Sequence, residues 1–99
     1  MTRPAIHPGE ILKEELDEAE ISASELARNL GVPHNRFTEI IRGSRSITGD
    51  TALRLAHWFG TTPQFWLNLQ TQYDLRIAEH NIGDDLQSLP TRLGSQPSV

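Results

Sequence analysis

The chain has no cysteine, which excludes a disulfide framework and any thiolate metal site and fits a reducing cytoplasm. It has no run of about 18 apolar residues, so no membrane span is expected. Its opening residues, which include HPGEILKEELDEAE, are acidic and lack the apolar stretch of a signal peptide. No internal repeat is visible. The four histidines, His7, His34, His57 and His80, are too dispersed for a metal motif, and no acidic pair stands at ligand spacing. There is no Gly-rich phosphate loop, no GxSxG and no thiol nucleophile. No metal, cofactor or catalytic constellation is therefore expected, and an enzyme has no residues to stand on. What remains is 99 residues, enough for one compact domain, or a slightly smaller one with a tail, whose modest core would gain from dimerisation.

Cations are outnumbered overall, nine Lys and Arg against thirteen Asp and Glu for a formal net charge of −4. That balance argues at first against a nucleic-acid partner, but its distribution reverses the argument. Residues 1–27 hold Arg3 and Lys13 against seven acidic groups, and residues 55–99 are again net negative. Residues 28–54 carry Arg28, Arg36, Arg42, Arg45 and Arg54 against only Glu39 and Asp50, for a local charge of +3. Phosphate neutralisation depends on local cations rather than on total charge.

The basic segment coincides with the best-punctuated part of the chain. Residues 22–48, SASELARNLGVPHNRFTEIIRGSRSIT, read as two short helices across a Gly-containing turn, followed by an Arg-bearing loop. Ser22 and Glu25 have capping-box spacing; Leu26, Ala27 and Leu30 form an apolar stripe, and Gly31 ends the helix. Pro33 fits the first turn of the next helix, in which Phe37, Ile40 and Ile41 recur at i, i+3, i+4 and face inward. Opposite that stripe lie Asn35, Thr38, Glu39 and Arg42, flanked by His34 and Arg36. An amide, a hydroxyl, a carboxylate and guanidinium groups suit base edges in a major groove: Asn pairs with adenine, Glu with cytosine N4, Arg with guanine, Thr with a thymine methyl. The plainer reading is a solvated helix face, and for His34 simply a solvated residue; the turn and the surrounding arginines favour a recognition helix. Arg45, with the serines and backbone amides of residues 44–47, suits phosphate contacts that set register without reading sequence, as does Ser22 at the start of the first helix.

Around this pair the chain reads as helical. Residues 1–7 are expected to form a flexible arm. Pro8 and Gly9 introduce a helix to about Ala19, with Leu12, Leu16 and Ala19 inward beside Ile11 and a solvated acidic face that can also meet a basic partner. Thr48 caps a helix from about Gly49 to Phe59, with Ala52, Leu55, Ala56 and Phe59 inward and Leu53 and Trp58 widening the stripe; His57 is expected to be exposed. Gly60 stops it. A fifth helix runs from Pro63 to about Ala78 with Trp66, Leu69, Tyr73 and Ile77 along one stripe. Phe65, Leu67 and Leu75 fall outside that stripe and suit a symmetric dimer contact. Residues 80–99, broken by Gly83, Pro90, Gly94 and Pro97, are expected to be a disordered tail, in which Ile82, Leu86, Leu89 and Leu93 keep a partial helical spacing that a partner can fold.

The chain resembles the Xre-type, phage-repressor-like helix-turn-helix proteins and, within them, the HigA antitoxins, a group also described as VapI-like addiction-module antidotes. The likeness rests on HPGEILKEEL at residues 7–16, on residues 22–48, and on DTALRLAHWFGTTPQFWLNLQTQYDLRIA at residues 50–78. It implies an all-α, five-helix DNA-binding and dimerisation domain over residues 8–79. The resemblance further implies an antitoxin of a type II toxin–antitoxin pair: a homodimer that binds a palindromic double-stranded operator in its own promoter and neutralises a RelE-like (HigB-type) mRNA endonuclease toxin. Such a protein is cytoplasmic and nucleoid-associated when bound to its operator. Carried over by position, base reading falls on His34, Asn35, Arg36, Thr38 and Glu39, and phosphate contacts on Ser22, Arg42, Arg45 and Ser46. Pro33 departs from the pattern, since related domains often carry a capping Ser or Thr there. Two other readings stay open from the residues alone: a stand-alone regulator, such as a phage or restriction-system controller without a toxin partner, and an interaction protein whose acidic first helix and tail do the work.

Overall fold

His7 and Pro8 start the first helix together. The proline ring occupies the first turn of α1 (Pro8–Ala19), where a missing N–H costs nothing, and the His7 Nδ1 accepts the Gly9 N–H at 2.9 Å. Burial pushes the His7 imidazole below its ordinary pKa, against the opposing charges of Asp74 and Glu10, which favours the neutral ring that this cap requires. The structure is a computed structural model that describes residues 4–93, and the expectations for residues 1–3 and 94–99 lie outside the described residues.

Four further helices follow in the expected order. Ser22 caps α2 (Ala23–Leu30) by accepting the Glu25 N–H at 3.0 Å. After it come α3 (Arg36–Ile41), α4 (Gly49–Phe59) and α5 (Pro63–Ile82), the last capped by the Thr62 hydroxyl on the Phe65 N–H at 3.1 Å. A one-turn helix, α6 (Asp85–Ser88), follows. α1 packs on α3 and α5, α2 on α3, and α4 on α5. Between them lies one core: Leu12, Leu16, Leu26, Ala27, Phe37, Ile40, Ile47, Ala52, Leu55, Ala56 and Trp66. The periodicities of α1, α2 and α3 therefore converge on a single volume. Trp66 fills its centre and satisfies its indole N–H on the Thr61 hydroxyl at 2.8 Å, as a buried Trp must.

Two contacts set where α3 and the loop after it stand. At the crossing of α1 and α3, Gly9 lies so close to the Ile40 carbonyl that an added Cβ would collide with that oxygen and sit 2.8 Å from the Ile41 Cα. Glycine is needed here for close approach of two backbones rather than for its φ angle. The second contact is Gln70, buried in α5 beside Trp66. Its Oε1 accepts the Ile47 N–H at 2.7 Å, and its Nε2 donates to Asp74 Oδ1 at 2.9 Å. Ile47 inserts its side chain into the core while its backbone is satisfied by this amide, so residues 42–48 are tied down at one end.

Several expectations need correction. α3 begins at Arg36, not near Pro33: residues 33–35 form a turn in which the Pro33 carbonyl accepts the Arg36 N–H at 3.0 Å. Leu53 and Trp58 do not widen the inward stripe of α4; they are 62% and 40% exposed, and Thr51 is buried there instead. α5 continues to Ile82, past Ala78, and α6 lies within the segment expected to be a tail. Trp66 and Gln70 are the only buried residues of α5, and from Asp74 to its end none is buried. This second half projects from the body, in keeping with overall extents of 53 × 22 × 21 Å.

Replacing Gly9 by Ala should lower stability by about 1–3 kcal/mol through overpacking, seen as a reduced midpoint in urea or thermal unfolding; an unchanged midpoint would show that α1 and α3 separate freely. Gln70→Leu strands the buried Ile47 N–H and should cost about 1–3 kcal/mol, with faster hydrogen exchange across residues 44–48 as its local signature.

Candidate nucleic-acid interface

The turn between α2 and α3 follows from three local features. Gly31 takes a left-handed conformation (φ 69°) at the end of α2, the Val32 N–H returns to the Ala27 carbonyl at 3.0 Å, and Pro33 turns the chain outward. Phe37 and Ile40 are wholly buried, which fixes the rotation of α3. Consequently His34 and Asn35 are exposed and Thr38 and Glu39 half-buried, with the last two at the surface of the same short helix. Beyond α3, Gly43 (φ 84°) reverses the chain and Ser44 folds back onto the Glu39 carbonyl through its N–H at 2.9 Å and its hydroxyl at 3.1 Å. Arg42, Arg45 and Ser46 are exposed along that return. Ser22 is exposed at the start of α2, its hydroxyl oxygen accepting the cap bond.

The polar side chains form two networks rather than an array of separate groups. In one, Glu39 Oε2 accepts from Asn35 Nδ2 at 2.9 Å, while Oε1 receives Arg45 Nε and Nη2, each at 2.8 Å. Asn35 occupies the N-cap position of α3, yet its side chain does not cap, because its amide is engaged with Glu39 one turn on. In the other, Asp50 Oδ2 bridges Arg36 Nη1 at 3.1 Å and Arg54 Nε at 3.0 Å. The Arg54 Nη1 donates in turn to the Leu30 carbonyl at 2.7 Å, satisfying the last turn of α2. The hydrogen bond from Arg54, with a further contribution from Arg36, holds the Asp50 carboxyl below the usual carboxylate range, so it stays charged through neutral pH.

These networks already engage several of the residues expected at the interface. Arg36 was expected to read bases. Its side chain is only 22% exposed and is held by Asp50, so it links the start of α3 to the start of α4 instead of standing free on the outward face. Arg54, counted among the local cations, likewise binds α4 to α2. Arg42 is exposed and makes no ion pair among the described residues. Of the residues expected at a dimer contact, Phe65 is 41% and Leu75 57% exposed, but Leu67 leans on the core. The bridging roles of Asp50, Arg54 and Gln70 escaped the sequence reading. The i,i+4 spacing of Asp50 and Arg54 was a usable signal, as was a glutamine four residues after Trp66 on an otherwise apolar stripe. Among the described residues no helix is long and apolar enough to cross a membrane.

A helix-turn-helix family model matches residues 12–66, from within α1 to the start of α5. Virulence-associated protein I of Dichelobacter nodosus is 56% identical over 79 residues, covering 79% of this chain and 73% of that protein. Among solved structures, an addiction module antidote protein of the HigA family from Coxiella burnetii is 53% identical with a TM-score of 0.85, over 90% of this chain and 98% of that one. The Pseudomonas aeruginosa antitoxin HigA, determined with the higBA promoter, is 42% identical with a TM-score of 0.85, over 91% and 99% of the two chains. With the fold, the turn and these likenesses agreeing, the chain belongs to the Xre-type helix-turn-helix family, in the group that holds the HigA antitoxins.

Proposed function

We propose that two copies of this chain bind a palindromic operator in its own promoter and repress it, and that the same protein binds and neutralises a RelE-like toxin in the bacterial cytoplasm. The observation that carries the DNA reading is the outward side of α3: Asn35, Thr38 and Glu39 stand at the surface opposite two fully buried anchors, with Arg42 and Arg45 on the strand of chain that follows. Similarity to an antitoxin solved with its promoter supports a DNA partner. Reading of bases falls to His34, Asn35 and Thr38, and phosphate contact to Ser22, Arg42, Arg45 and Ser46. A dimer would place two recognition helices about 34 Å apart, one turn of duplex. The exposed side of α5 near Phe65 and Leu75 is the proposed contact between copies, because these apolar side chains stay 41% and 57% exposed within the subunit.

The toxin reading rests on family membership and on the acidic outward side of α1, which suits a basic partner. Co-expression tests it: the chain should abolish growth arrest caused by the product of the adjacent small gene and co-purify with it, and a neighbour without such an effect would leave a stand-alone regulator. For DNA, mobility shift on the promoter should show a specific complex. Arg42→Ala should weaken cognate and scrambled duplexes alike and lower the salt slope by about 1, whereas Thr38→Ala should cost on the order of 1–3 kcal/mol on the cognate site alone. Equal losses on both duplexes for both variants would remove Thr38 from base reading. Leu75→Glu should shift sedimentation toward the monomer and weaken operator binding, with the circular dichroism of the fold retained.

A further inference from the structure

Glu39 sits in the middle of the outward side of α3 with little capacity left for a base. A carboxylate only accepts hydrogen bonds, at about four lone-pair positions. Here Oε1 receives both Arg45 nitrogens at 2.8 Å and Oε2 receives Asn35 Nδ2 at 2.9 Å. An amino group such as cytosine N4, which an unengaged Glu would bind, finds Oε1 taken up by Arg45 and Oε2 already shared with Asn35, with a single acceptor position left on Oε2. Asn35 is in the opposite situation. One of its two amide N–H groups goes to Glu39, which orients the amide, and the exposed side chain keeps Oδ1 and a second N–H for a partner. Adenine offers the matching pattern in the major groove, the N6 donor beside the N7 acceptor.

We infer that Asn35 reads an adenine and that Glu39 is a positioning residue that holds the Asn35 amide in its reading orientation, with Arg45 neutralising the carboxylate that this arrangement sets against the phosphates. The inference rests on the operator reading above and assigns Glu39 a role other than base contact. It also gives Arg45 a second task. A bare carboxylate at this surface would repel the duplex, so Arg45 serves binding through Glu39 as well as through phosphate.

The test is selection of duplexes from a randomised library by the full-length chain, followed by affinity measurements on the selected site and on copies with one base pair changed. The unmodified chain should select an A·T pair at one position of each half-site. Asn35→Ala should lose about five- to hundred-fold discrimination at that pair. Glu39→Ala should lose discrimination at the same pair, and the double substitution should lose no more there than Asn35→Ala alone. Glu39→Gln keeps a carbonyl that accepts from Asn35 and should retain most of the preference, a rescue that general loosening of the helix would not produce. In an Arg45→Ala background, adding Glu39→Gln should restore part of the lost affinity on every duplex. Thermal unfolding of each variant, expected to match the parent, separates these effects from misfolding. If the chain selects a sequence but Glu39→Ala alters a different pair, or the two substitutions add, the positioning role is overturned while the operator reading stands. If it selects no sequence, the operator reading fails and takes this inference with it.

Discussion

Where α1 crosses α3, backbone lies directly against backbone, and the missing side chain of Gly9 is what lets it. Everything about the outward side of α3 depends on that contact. α1 is anchored by Leu12 and Leu16 in the core, and its start is held by His7, whose ring meets Tyr73 edge-on at 4.8 Å on α5. A short helix of six residues has little stability of its own. Its position is supplied by this crossing, by the buried Phe37 and Ile40, by the Asp50 bridge at its start and by the Gln70 amide that pins the chain beyond its end. A rigid frame of this kind is what a surface must have if its polar groups are to meet a partner in fixed register.

The sequence made the helices legible where local chemistry and hydrophobic period agreed. α1, α2 and α4 begin and end as read, because Pro8, Ser22, Gly31 and Gly60 each have one main use in those contexts; Thr48 stands at the start of α4 but its hydroxyl makes no cap bond. The start of α3 was not legible: proline serves a helix start and a turn equally well, and Asn35, which would cap, is diverted to Glu39. Leu53 and Trp58 misled because apolar residues are often exposed, and five helices of this length cannot enclose every one of them. The outward side of α3 was visible from its period alone. Its internal pairings were not, since Arg45 and Glu39 meet only after Gly43 reverses the chain, and Arg36 meets Asp50 across fourteen positions.

Charge in this chain works by segregation rather than by amount. Acidic groups crowd the outward side of α1, while most cations gather around the α2–α3 unit, where three of the five arginines are themselves paired. Pairing before a partner arrives lowers attraction at long range, but it also removes rotamer freedom that binding would otherwise have to freeze. The exposed ion pairs contribute little to the stability of the fold; their effect is on where the side chains point.

The outer half of α5 has a thermodynamic consequence of its own. From Asp74 onward the helix has no buried residue beneath it, and a free helical stretch this short is marginal in water. Under the proposed self-association its order would be linked to protein concentration: dilution would leave the extension to fray, and association would supply the cover that winds it. Local helicity there and assembly would then be two readouts of a single equilibrium.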